Sequence, residues 1–251
     1  AVARSGQKLY HAGLLGAEGA RLAELLTDCG VDLRYLKRTQ IPQGHAVIQV
    51  DPTGQNCIFT YGGSNVAVSP QDIDEVLSQF DAGDYLLMQN EMSNLTYMLR
   101  AAVQRGLRVV LNVSPISEEI LHVDLTGVDW LVVNEIECAA MAGCEDPQMG
   151  YETLKRRYPA LGILMTLGSE GSVSWKDGEE IRQCAYPVKA VDTTGAGDTY
   201  MGYFVGCLAQ GMRRQQAMQY ASMASAISVT RPGAAVSIPQ FEEVRAAIEA
   251  L

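Results

Sequence analysis

The chain has 251 residues, is 47% apolar and 19% charged, and carries a formal net charge of −10. That size and apolar share allow one substantial core, and the negative balance argues against nucleic acid or an anionic membrane as the main partner. No apolar run reaches membrane-spanning length and no signal-peptide pattern occurs. The six cysteines (Cys29, Cys57, Cys138, Cys144, Cys184 and Cys207) form no Cys-x-x-Cys pair, so they read as reduced thiols of a cytoplasmic protein. His11, His45 and His122 lack metal-ligand spacing.

Residues 1–5 read as a helix entered without a preceding strand, and the expectation is that a further segment precedes Ala1. Residues 8–15 read as a strand. Residues 17–29 read as an amphipathic helix with Leu22, Leu25 and Leu26 on its apolar side, closed by Gly30. His45–Val50 and Asn56–Tyr61 flank Asp51-Pro52-Thr53-Gly54 and read as a β-hairpin, expected to stand off the main sheet as a flap. From Ser69, which caps a helix opened by Pro70, the pattern becomes βαβα. Strands are expected at 85–89, 107–111, 130–133 and 163–167, with helices at 93–105, 135–142 and 147–158 between them. A hairpin, 172–175 with 181–185, turns at Asp177-Gly178; two small-residue helices and a short closing helix follow. Short apolar strands alternating with helices predict an α/β fold with a mainly parallel sheet covered on both faces.

Residues 191–199 read Val-Asp-Thr-Thr-Gly-Ala-Gly-Asp-Thr and run straight into an apolar helix. Gly195 and Gly197 leave backbone N–H groups open at a helix start, where the aligned peptide dipoles favour an anion. Asp198 adds a carboxylate where a negative ligand would sit, which suits a proton acceptor in phosphoryl transfer. Ordinary capping of the helix by Asp198 or Thr199 is the competing explanation. Further polar residues follow the predicted strands: Glu91, Asn112, Asn134, Gly168 and Asp192. Open α/β sheets bind ligands at that edge.

Asp-Thr-Thr-Gly-Ala-Gly-Asp-Thr closely resembles the C-terminal signature of the ribokinase-like carbohydrate kinases, the PfkB family. The resemblance implies a three-layer sandwich: one domain over residues 1–251, with a small β lid within about 31–65. It implies Asp198 as catalytic base in contact with the sugar, and Gly195, Ala196 and Gly197 N–H groups around the transferring phosphoryl group. Asn134-Glu135-Ile136-Glu137 resembles the family's Asn-x-x-Glu motif, which puts Asn134 near the nucleotide phosphates and Glu137 near Mg²⁺, through water. Thr166, Gly168, Ser169 and Gly171 match the nucleotide loop, and Ser222 matches a position near the adenine. Asp192, Thr194, Ser228, Arg231, Gly233 and Ser237 match a monovalent-cation site suited to K⁺, several through backbone carbonyls. Glu91 matches a sugar-contacting carboxylate. The family's N-terminal Gly-Gly motif and its sugar-binding Asp and Asn are expected before Ala1.

The implied activity is ATP-dependent phosphorylation of a sugar's primary hydroxyl, with ribose as the first substrate and pairing of two copies through the lid as an assembly the resemblance allows. Another PfkB-type sugar or nucleoside kinase, fructokinase-like, stays open, as does a non-catalytic relative that binds sugar or nucleotide. A nicotinamide dehydrogenase is disfavoured, because no Gly-x-Gly-x-x-Gly follows an early strand.

Overall fold

The computed structural model describes residues 1–50 and 56–251; the expected turn at Asp51-Pro52-Thr53-Gly54 lies outside them. Six strands form the main sheet, in the order β10 (Glu179–Gln183), β9 (Ser172–Lys176), β8 (Gly162–Thr166), β7 (Trp130–Asn134), β6 (Arg108–Asn112) and β5 (Tyr85–Gln89). β5 to β8 are parallel, and the β9–β10 hairpin extends the sheet antiparallel. Val109, Val110, Leu111, Leu131, Ile163 and Leu164 have no exposed surface. A strand covered on both faces needs apolar side chains in both pleat directions, which is why these segments read as continuous apolar runs.

One face carries α2 (Pro70–Leu77), α3 (Leu95–Gln104), α4 (Glu118–Leu121), α5 (Glu135–Ala142) and α6 (Pro147–Arg157); the other carries α7 (Ala196–Ala209), α8 (Arg214–Val229) and α9 (Phe241–Glu249). Trp130 of β7 packs edge-on against Phe204 of α7, centroids 5.0 Å apart. The result is the expected three-layer sandwich. Local chemistry sets the helix starts: Ser69 and Asp72 make a reciprocal capping box on α2, with Pro70 in the first turn. Gly202 and Gly206 of α7 admit the N-terminal segment, since a Cβ on either would collide with Ala1 or Ser5.

Two smaller sheets stand apart. β3 (His45–Val50) and β4 (Asn56–Tyr61) form the expected antiparallel hairpin, separate from the main sheet. β1 (Tyr10–Leu15) pairs in parallel with β2 (Asp32–Arg38), a strand the sequence reading left out. Asp32, Arg34, Lys37 and Arg38 mask it, because β2 is only half buried and its charges reach solvent or ion partners such as Asp72 and Glu75 on α2. Tyr10, Tyr35 and Phe80 meet in tilted and edge-on contacts, centroids 5.4–5.6 Å apart, and anchor this pair. The short α4 is a second omission. It is capped by Ser117, whose hydroxyl accepts the Ile120 N–H.

Among the described residues, no helix is long and apolar enough to cross a membrane. Cys29, Cys138, Cys144, Cys184 and Cys207 are free thiols, and burial pushes those of Cys138 and Cys207 up to about 12, where they stay protonated.

Candidate active site

The carboxyl ends of the parallel strands gather the candidate residues. β7 ends on Asn134 and β8 on Thr166, which are register partners in adjacent strands. β6 ends on Asn112, paired with Gln89 at the end of β5, and Glu91 is exposed in the turn two residues on. The Ser93 N–H reaches the Asn65 carbonyl at 3.4 Å, so the Glu91 turn lies beside the segment leaving the hairpin. β9 is antiparallel to β8 and begins at this edge, with Ser172 opposite Thr166. Ser172 Oγ lies 2.6 Å from Tyr200 Oη, which sets the first turns of α7, and Asp198 with them, at the same edge. That is where open α/β sheets hold ligands.

The start of α7 is built for an anion. Its N-cap, Gly195, has φ 74°, a left-handed conformation that glycine adopts without penalty. The Thr199 N–H donates to the Gly195 carbonyl at 2.8 Å, and the Ala196 N–H turns back to Thr193 at 3.2 Å. Gly197 and Asp198 therefore hold first-turn N–H groups with no intrahelical acceptor. A Cβ on Gly197 would meet open space, and Asp198 is exposed. An anionic oxygen can approach these donors from solvent, and the helix dipole favours it. Asp198 accepts no capping bond in its own first turn, so its carboxylate stays available.

Behind this turn, Asp192 joins two loops. Its Oδ1 accepts the Thr194 N–H at 2.9 Å and its Oδ2 the Gly233 N–H at 2.8 Å. The bonds from Thr194, then that from Gly233, hold its carboxyl below the ordinary value. Ser228 and Ser237 are buried and donate to the Ser225 and Ala234 carbonyls at 2.9 and 2.8 Å. Arg231 turns its guanidinium to Glu243 of α9, which keeps that charge on the far partner. Carbonyl and serine oxygens of the type these two segments carry suit a weakly hydrated monovalent cation.

At the end of β7, Asn134 and Glu137 form a capping box. Asn134 Oδ1 accepts the Glu137 N–H and Glu137 Oε2 accepts the Asn134 N–H, both at 2.8 Å. Helix capping therefore engages one atom of each side chain, leaving Asn134 Nδ2 and Glu137 Oε1 for a ligand. No three His, Cys, Asp or Glu side chains converge among the described residues. That donor chemistry fits Mg²⁺, which retains water and takes phosphate oxygens, better than a caged cation. Thr166 is half-buried, with Oγ1 3.5 Å from the Val133 carbonyl, and Gly168 and Ser169 are exposed in the loop beyond it. Gly171 closes that loop at φ 105°, and a Cβ there would collide with the Gln183 carbonyl. Ser222 is buried and donates to the Cys184 carbonyl at 3.1 Å, so it braces the strand exit beside this loop.

Three residues at this edge carry no motif in the sequence: Ser172, Tyr200 and Ser225, whose hydroxyl reaches the Ala196 carbonyl at 3.1 Å. A tyrosine among the small residues that open α7 is the one signal that could have marked the first two.

Residues 1–240 match the pfkB family carbohydrate kinase profile. A ribokinase of Arabidopsis thaliana is 32% identical over 251 residues, covering 94% of this chain and 66% of that one. The solved structure of an Arabidopsis thaliana ribokinase complexed with ribose and ATP superposes with a TM-score of 0.84 at 28% identity, over 98% of this chain and 84% of that one. A Cryptococcus neoformans ribokinase in complex with ADP gives 0.86 at 29% identity, over 98% and 85%. A Salmonella typhi deoxyribokinase is 27% identical over 227 residues, covering 87% of this chain and 74% of that one. The chain spans just under two thirds of the Arabidopsis sequence and more of the others. With this match over nearly its whole length, the chain belongs to the pfkB family of carbohydrate kinases.

Proposed function

We propose that this chain transfers the γ-phosphoryl group of ATP to the primary hydroxyl of a sugar, with D-ribose as substrate and ribose 5-phosphate as product. One observation carries the reading: the glycine-lined start of α7, with Asp198 exposed, lies at the sheet edge where Asn134 and Thr166 stand side by side. The names of its relatives, ribokinases above all, support it. Asp198 orients the sugar hydroxyl and accepts its proton as the oxygen attacks phosphorus. General-base assistance of this kind is worth ~10²–10⁴-fold. N–H groups of Gly195 and Gly197, with Ala196 between them, face the charge on the phosphoryl oxygens. Thr166, Gly168, Ser169 and Gly171 line the nucleotide, and Asn134 its phosphates.

Glu137 Oε1 would help hold Mg²⁺ through water, and the ion would supply neutralisation of phosphate charge. Asp192, Thr194, Ser228, Arg231, Gly233 and Ser237 would hold K⁺ and stiffen the loop beside the anion site. Glu91 accepts sugar hydroxyls, and the β3–β4 hairpin covers the sugar, excluding water that would compete as acceptor. The whole chain acts as one domain. Val47 and Phe59, register partners exposed on the hairpin, offer an apolar face through which two copies pair; light scattering on wild-type protein and Phe59→Ser tests that assembly.

The test of function is a substrate panel. With ATP and Mg²⁺, release of ADP is followed with ribose, 2-deoxyribose, fructose and adenosine, and the product is identified by phosphorus NMR. Ribose is expected to give the highest kcat/KM. A higher value for another acceptor reassigns the substrate, and no ADP above the sugar-free rate with any acceptor overturns the activity.

A further inference from the structure

Two hydroxyls meet in the interior between the nucleotide loop and the catalytic helix. Ser172 Oγ and Tyr200 Oη lie 2.6 Å apart, and the two residues are 2% and 5% exposed. Ser172 directly follows Gly171, the last residue of the loop 168–171. Tyr200 stands two residues after Asp198 in α7. At about 100° per residue the two side chains leave the helix on nearly opposite sides, one inward and one to solvent. Rotation or sliding of α7 would move both together.

The bond is the polar tie at this point. The Tyr200 hydroxyl has one further neighbour, the Met218 carbonyl, at 3.5 Å, the outer limit for a hydrogen bond. The Ser225 hydroxyl ties the Ala196 carbonyl to α8 but not to the loop 168–171; otherwise this stretch of α7 packs through apolar contacts to β6, β7, β8 and α8, which tolerate small shifts. A phenylalanine would fill the same volume without desolvating a hydroxyl, and an unpartnered buried hydroxyl is costly. What the hydroxyl pair adds is therefore direction. We infer that Ser172 and Tyr200 are positioning residues whose hydrogen bond holds the nucleotide loop in register with the helix that carries Asp198. The inference rests on the phosphoryl-transfer reading of this edge and assigns a role to two residues that touch neither substrate.

Four variants test it: Ser172→Ala, Tyr200→Phe, the double variant, and Ser172→Thr, which keeps the hydroxyl. The readouts are ADP affinity by calorimetry, kcat and KM for ATP, and Tm. Each single removal is expected to weaken ADP binding about 3- to 10-fold, the range of one net hydrogen bond, and to raise KM for ATP with it. The double variant should bind ADP no worse than either single, because the same bond is already gone. Its Tm should recover toward wild type, because no buried hydroxyl is left unpartnered. Ser172→Thr should restore ADP affinity. If Tm alone moves and ADP affinity stays within about twofold in every variant, the pair is structural and the inference falls. Multiplicative losses in the double variant overturn the pairing. ADP affinity needs no sugar: a wild-type chain that binds ADP yet phosphorylates no acceptor defeats the proposed activity while the variants still decide the positioning role of Ser172 and Tyr200.

Discussion

Along β6, β7 and β8 six side chains have no exposed surface at all, whereas β1 has one buried residue, Leu15, and β2 has none. The same division runs through the helices. α7 buries nine residues between Thr199 and Cys207, while α1 (Ala20–Asp28) buries none. Asp198, Asn134 and Thr166, the proposed catalytic and nucleotide residues, are mounted on the first region, and the β3–β4 hairpin stands outside it. Under the proposed function, a rigid mount would hold Asp198 where orientation governs rate, and a lightly packed half would leave room for movement over the acceptor. Local stability follows burial, so the two halves should differ in how they respond to perturbation.

The contrast breaks first on the core. Leu164→Ala, from full burial between β8 and α7–α8, is expected to cost ~2–5 kcal/mol in denaturant unfolding. Leu22→Ala in α1, 44% exposed, should stay within ~0.5 kcal/mol. Equal losses would mean that α1 is packed as firmly as the sheet. Next comes the loop 168–171. Gly171→Ala must place a Cβ against the Gln183 carbonyl at φ 105° and is expected to cost ~1–3 kcal/mol and to weaken ADP binding. Gly211→Ala, at φ 82° with nothing within 4 Å, carries the backbone strain alone and serves as its control.

Smaller still is the pH effect of the clamp between the two loops. The folded-state pKa of Asp192 is depressed from the ordinary 3.8 by its bonds from Thr194 and Gly233. Its stabilisation is therefore present above the unfolded value and lost as pH falls through the lower folded one. Thermal melts should show Asp192→Asn below wild type at neutral pH, with the gap closing below about pH 4. A gap that widens on acidification would contradict the sign. The smallest effect is expected on the β3–β4 hairpin, where Phe59→Ser, 59% exposed, should leave monomer stability within ~0.5 kcal/mol.

The same burial contrast decided what could be read from sequence. Leu107 to Leu111 or Ile163 to Met165 can be little other than interior strands, because apolar side chains alternate to two covered faces. Asp32–Arg38 mixes charge with Leu33, Tyr35 and Leu36 at a margin where one side stays wet, so its strand carries no clear apolar signature. At the site, Gly195, Gly197 and Asp198 were legible because backbone conformation and chemistry both restrict the residue. Asn134 and Glu137 were legible as a motif, but their reciprocal bonds were open to either a capping or a ligand reading. Ser172 and Tyr200 lie 28 positions apart and have meaning only once β9 turns back beside β8, so their contact had no local signal.

The central claim is that Asp198 accepts the sugar proton at a preformed anion site. Steady-state turnover of Asp198→Asn with saturating ATP and ribose, alongside its ADP affinity, tests it most directly. The account predicts kcat lowered ~10²–10⁴-fold with ADP affinity retained, since only the proton acceptor is removed. Near-wild-type kcat in that variant would contradict it.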